Sequence, residues 1–102
     1  MTSAQSLQRI VITGSSGLCG RALVRAIRQR LPGVTTLGLD LAAPPTDPPD
    51  EFVQGNLLDA DLRGLFERFV PDVVVHLAYI VEPCRDLRRM RTVNITGTER
   101  IP

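Results

Sequence analysis

The run Thr13-Gly14-Ser15-Ser16-Gly17-Leu18-Cys19-Gly20 sets three glycines at three-residue intervals between a β-branched apolar stretch and an amphipathic one. In that context a glycine pattern can cradle phosphate. Gly14 permits a tight turn, Gly17 lets the backbone approach a pyrophosphate with no Cβ in the way, and Gly20 lets the following helix pack against the strand. The free N–H groups at the helix start then face the anion. The spacing is G-x-x-G-x-x-G rather than G-x-G-x-x-G, and an ordinary glycine turn before a helix is the competing reading. Asp40 follows Gly20 by 20 residues and places a carboxylate where it can accept from both hydroxyls of an adenine ribose while repelling a 2′-phosphate. No arginine stands between residues 31 and 62 to bind such a phosphate, so the pattern favours NAD over NADP. A solvated aspartate opening a loop is the alternative.

These groups need elements to hold them. Arg9 to Thr13 is a short β-branched run of strand length. Arg21 to Leu31 places Leu23, Ala26, Ile27 and Leu31 on one helical face with Arg25 and Arg28 opposite, and Pro32-Gly33 ends it. Val34 to Leu39 reads as a second strand finishing on Asp40, before a loop in which four of the eight prolines fall within six residues. Glu51 to Gln54 is a weak third strand. Asp59 is expected to cap a helix with Leu62, Leu65, Phe66 and Phe69 on one face, broken a little by Gly64 and stopped by Pro71. Asp72 to Leu77 has the continuous apolar character of a strand buried on both faces. Leu87, Met90 and Val93 suit a helix from about Asp86 to Gly97. This alternation is that of a parallel α/β sheet with right-handed crossovers, its strands ordered 3-2-1-4 as one half of a doubly wound sheet.

Composition narrows the class. The 102 residues suit one domain, and 43% hydrophobic with 23% charged residues describes a soluble globular chain. A net charge of +1 supplies no field to draw nucleic acid or an anionic membrane. Cys19 and Cys84 are too few for a disulfide scaffold, and the first residues lack a charged segment followed by an apolar one, so a reduced, cytoplasmic protein is expected. All twelve basic residues are arginine.

Taken together these residues resemble the extended short-chain dehydrogenase/reductase family, the NAD-dependent epimerase/dehydratase group. Its TGxxGxxG loop is present as Thr13 to Gly20, its acidic strand end as Asp40, and its D-L-x-D as Asn56-Leu57-Leu58-Asp59. Its P-D-x-V-x-H-x-A segment runs from Pro71 to Ala78, and its N-x-x-G-T from Asn94 to Thr98. The resemblance implies a Rossmann-type sheet and NAD contacts at Gly14, Ser16, Gly17, Leu18, Gly20, Asp40, Asn56, Leu57, Leu77, Ala78, Tyr79 and Asn94. Asn56 replaces the usual aspartate at the adenine, and its amide can still pair with the 6-amino group and N1. Tyr79 stands where the family has a small residue beside the cofactor; it narrows or stacks in the site, or it covers a strand end. Cys19, near a helix start that lowers thiol pKa values, is read as a small hydrophobe. His76, the only histidine, is implied to be structural, and Asn94 either positions the active-site end or is an exposed helix residue.

The family's hydride chemistry uses a tyrosine as general acid/base and a lysine four residues later. Here the only tyrosine, Tyr79, is followed four places on by Pro83, and there is no lysine. No catalytic residue and no metal site is therefore assigned. Residues 1–102 are expected to be an incomplete NAD-binding domain of an oxidoreductase acting on a nucleotide sugar or related alcohol or ketone, with a small-molecule substrate only if a catalytic half exists. Alternatives are a non-catalytic dinucleotide-binding or sensing module, and a truncated remnant that pairs through its sheet. The apolar edge at Asp72 to Leu77 is expected to make the isolated piece self-associate or partly unfold.

Overall fold

A computed structural model describes residues 7–56 and 61–78, with residues 99 and 101. Along the chain lie β1 (Arg9–Thr13), α1 (Leu18–Arg30), β2 (Thr35–Asp40), β3 (Glu51–Gln54), α2 (Leu62–Phe69) and β4 (Val73–His76). The four strands are parallel and ordered β3-β2-β1-β4, the order expected from the sequence. The chain steps one way from β1 to β3 and then back past β1 to β4. Right-handed crossovers consequently put α1 and α2 on opposite faces. The period-two alternation of β1 sorts its side chains accordingly. Ile10 and Ile12 pack with Val24 and Ile27 of α1, while Val11 packs with Leu37, Leu65 and Phe69 under α2. A smaller cluster joins Leu39 and Leu62, with Ile101 against it.

Several boundaries differ from expectation. Helix α1 starts at Leu18 instead of Arg21, because the last glycine of the turn lies inside its first turn. Its buried face is Gly20, Val24 and Ile27, while Leu31 is 42% exposed just past the helix end. Arg28 does not point free into solvent: its guanidinium bonds the Asp47 carboxylate and the Pro48 carbonyl, with Asp50 at 3.8 Å. Strand β2 begins at Thr35, paired with Arg9 at the start of β1, and takes in Asp40. The cap of α2 is Asp61 and not Asp59, since Asp61 Oδ1 accepts from the Gly64 N–H at 3.0 Å. A Cβ at position 64 would lie 3.0 Å from Asp61 Cγ, so the helix glycine makes room for the folded-back cap. The helix ends at Val70, left-handed with φ 52°, whose N–H reaches the Phe66 carbonyl at 2.8 Å.

Strand β4 is less buried than its apolar run suggested. Val73 is 41% exposed, and Val74, Val75 and His76 are half-buried. Val75 packs toward α1 and Val74 toward α2. Among the described residues only β1 pairs with it. The helix expected over Asp86 to Gly97, with Leu87, Met90 and Val93, lies outside the described residues, as do Asp59 and Cys84.

The proline-rich connection of residues 41–50 has no regular structure, yet it covers the α1 side of β2. Pro49 is buried there, and a Cβ on Gly38 would come within 2.6 Å of its ring. Asp50 Oδ2 accepts from the Thr36 N–H at 2.8 Å, and the Asp50 N–H returns a bond to Thr36 Oγ1 at 3.1 Å. Ladder pairing between β2 and β3 starts only at Leu37 and Glu51, so this side chain satisfies a backbone donor just short of it. At the same end of the sheet, Asp72 Oδ2 accepts from the N–H groups of Gln8 and Arg9, both at 2.9 Å, and ties the start of β4 to that of β1.

Candidate functional site

The carboxyl ends of β1, β2 and β4 converge on the glycine turn, the place where open α/β sheets bind ligands. Gly14 has φ +73° and donates to the Leu39 carbonyl at 2.8 Å. A Cβ there would sit 2.8 Å from the Leu77 carbonyl carbon and 2.9 Å from the Ala78 nitrogen. Position 14 therefore needs glycine for both conformation and space. The close approach at Gly20 is to the turn itself and not to the strand as expected: an added Cβ would lie 2.6 Å from Ser15 Cα.

Gly17 is the N-cap of α1, with extended backbone, no side-chain cap and no acidic residue in the first turn. Arg21 makes the first intrahelical bond, to the Gly17 carbonyl at 2.9 Å. The N–H groups of Leu18, Cys19 and Gly20 precede it and carry the partial positive charge of the helix start. Gly17, Leu18 and Cys19 are all exposed. Among the described residues no acidic side chain caps the helix or stands in its first turn, so the residues present fit a pyrophosphate. Leu18 is 75% exposed and Leu41 56%, which leaves apolar surface at the same end of the sheet.

Asp40 does more than the sequence indicated. Its Oδ2 accepts from the Ser16 N–H and its Oδ1 from the Ala42 N–H, each at 2.9 Å. Each carboxylate oxygen keeps a further lone pair, so two ribose hydroxyls could still be accepted. The Ser16 hydroxyl donates to the Ala43 carbonyl at 2.9 Å. Asn56 is half-buried, two residues beyond β3. Leu57, Tyr79 and Asn94 lie outside the described residues, so of the expected cofactor contacts the structure places nine.

Thr13 was missed as a site residue, although a threonine closing an otherwise apolar buried strand was the available signal. Its side chain is fully buried. Thr13 Oγ1 accepts from the N–H groups of Leu77 at 3.0 Å and Ala78 at 3.2 Å and lies 2.6 Å from His76 Nδ1. With both lone pairs engaged, the hydroxyl donates to Nδ1, which makes His76 the neutral Nε2–H tautomer. Burial holds the imidazole pKa below its ordinary 6.5. His76 thus links the end of β4 to the end of β1 beside the turn. Ser15 Oγ is buried with no hydrogen-bond partner among the described residues. Cys19 is a free, exposed thiol and not a packed hydrophobe. Among the described residues no helix is long and apolar enough to cross a membrane, and no three His, Cys, Asp or Glu side chains gather to hold a metal.

A doubly wound parallel sheet whose first turn offers bare helix N–H groups beside a carboxylate ending β2 defines a Rossmann-type nucleotide-binding fold. Residues 10–101 match the model of the NAD dependent epimerase/dehydratase family, and the chain belongs to that family. It is 33% identical to UDP-glucose 4-epimerase of Mycolicibacterium smegmatis, over 91% of this chain and 33% of that protein. It is 35% identical to methionine adenosyltransferase 2 subunit beta of Danio rerio, over 70% of this chain and 20% of that one. The Bordetella bronchiseptica enzyme WbmG, solved with NAD and UDP, superimposes with a TM-score of 0.79 at 27% identity, over 98% of this chain and 34% of the enzyme. The chain thus spans about a third or less of the length of these relatives.

Proposed function

We propose that residues 1–102 are the cofactor-binding part of an NAD-dependent epimerase, dehydratase or reductase working by hydride transfer on a nucleotide sugar or related alcohol or ketone, in the cytoplasm. The observation that carries this is the coupling of the bare α1 N-terminus to the Asp40 carboxylate through Ser16. The first suits a pyrophosphate and the second an unphosphorylated ribose. Gly14, Gly17, Leu18 and Gly20 would hold the pyrophosphate end, and Asp40 with Asn56 the adenosine. The relatives named for a UDP-sugar epimerase and for a complex with NAD and UDP support the same substrate class. When bound, the nicotinamide would supply the hydride acceptor. The tyrosine and lysine that serve as acid/base are not among these residues, so we place them outside residues 1–102.

Calorimetric titration of the protein with NAD⁺ and NADP⁺ tests the cofactor. NAD⁺ is expected to bind at least about tenfold more tightly, because a 2′-phosphate would meet the Asp40 carboxylate. Equal affinities would remove Asp40 from the ribose site, and no binding would end the proposal. The relative named as a subunit of an adenosyltransferase favours a second reading, a dinucleotide-binding module that serves another chain. Turnover by the intact native protein separates the two: an enzyme converts a UDP-sugar with its NAD, whereas a module binds NAD⁺ and converts none.

A further inference from the structure

Ser16 is tied to the β2 end by two independent bonds. Its N–H donates to Asp40 Oδ2 and its hydroxyl to the Ala43 carbonyl, both at 2.9 Å. The Ala42 N–H in turn donates to Asp40 Oδ1. One residue of the phosphate turn therefore grips both the carboxylate and the backbone that leaves it. Among the described residues, further non-local anchors of residues 41–50 are Gln54 Nε2 on the Leu41 carbonyl at 3.3 Å, the bonds between Asp50 and Thr36, and Arg28 on Asp47, the Pro48 carbonyl and Asp50. A carboxylate discriminates between ribose and ribose 2′-phosphate only while it is held in place.

We infer that Ser16 is a positioning residue for ribose recognition, acting through Asp40 and the Ala42-Ala43 backbone, and that Arg28 supports the same wall from its far end. This rests on the NAD reading above. The backbone bond from Ser16 to Asp40 survives any side-chain change, so Ser16→Ala removes only the bond to Ala43. Asp40 then keeps its charge and its bond to the Ser16 N–H, while the Ala42-Ala43 backbone that holds its Oδ1 loses its anchor to the turn.

The test compares wild type, Ser16→Ala, Ser16→Thr and Arg28→Gln for NAD⁺ and NADP⁺ dissociation constants and for hydrogen exchange at the Ala42 amide. Loss of one hydrogen bond predicts NAD⁺ binding about three- to tenfold weaker in Ser16→Ala. NADP⁺ binding should change less than about twofold, because its 2′-phosphate gains nothing from a well-placed carboxylate. Ala42 exchange should rise in parallel. Ser16→Thr restores both readouts, and Arg28→Gln moves both in the same direction by less. A variant that merely weakens the fold would lower both affinities alike. An unchanged affinity ratio or unchanged Ala42 exchange in Ser16→Ala overturns the inference while leaving the cofactor reading standing. A wild type that binds neither dinucleotide overturns both.

Discussion

Replacing Thr13 by valine keeps the shape of a fully buried side chain and removes one hydroxyl. The Leu77 N–H also reaches the Thr13 carbonyl at 3.0 Å, so it retains an acceptor. The Ala78 N–H and His76 Nδ1 each lose the partner that the hydroxyl provided. A group left without its hydrogen bond costs about 1–3 kcal/mol, and half-burial puts both near the lower end, so the expected loss is about 2–4 kcal/mol. That is a large part of the roughly 5–15 kcal/mol that holds a domain together. Thr13→Ser keeps the hydroxyl and deletes a methyl, at about 1 kcal/mol. The polar account therefore ranks valine as more damaging than serine, whereas packing alone ranks them the other way. Urea denaturation of the intact protein, followed by far-UV circular dichroism, reads the order directly. Thr13→Val matching or exceeding Thr13→Ser in stability would refute the reasoning.

Other outcomes follow from single sites. Ser15→Ala should stabilise the fold by about 1 kcal/mol, because the buried hydroxyl it removes has no partner among the described residues, and a lower urea midpoint would contradict this. Gly14→Ala should abolish NAD⁺ binding and lower the melting temperature, since φ +73° and the Leu77 and Ala78 backbone both exclude a Cβ. Asp61→Ala should cost about 1 kcal/mol as a lost cap. Gly64→Ala should fail to deliver the usual gain of a helix alanine, because the new methyl meets the Asp61 carboxylate, as paired urea melts would show. With pH, the folded His76 resists protonation while the unfolded chain takes a proton near 6.5, so stability present above that value is lost as pH falls below it. A second loss follows below about 3.8, where the unfolded chain protonates Asp72, whose folded carboxyl is held lower by the N–H groups of Gln8 and then Arg9. Replacing His76 by glutamine should remove the upper step from a plot of urea midpoint against pH.

Most of the fold was legible because its signals are local. The β1 and β3 spans and the glycine turn follow from apolar periodicity and turn chemistry, which neighbouring residues dictate, and the 3-2-1-4 order is the one a doubly wound sheet implies. The misses have long-range causes. Asp59 and Asp61 both precede the same apolar face, and only the carboxylate folded over Gly64 marks Asp61 as the cap. Arg28 looked like a solvated helix residue because its partners, Asp47 and Pro48, come from a connection with no periodic pattern.

The same division holds at the site. Residue types and spacing by themselves determined that a glycine turn at Gly14 and Gly17 is followed by a carboxylate at Asp40, groups whose chemistry suits an anion and a ribose, since glycine permits the turn and a carboxylate accepts hydroxyls wherever the fold puts them. Tertiary structure alone decided that Asp40 is bound to Ser16, that the Thr13 hydroxyl braces His76, Leu77 and Ala78, and that the proline loop covers Gly38. Those bonds join residues 24 to 65 positions apart, and no local preference specifies which buried donor will meet which acceptor once the strands are packed side by side.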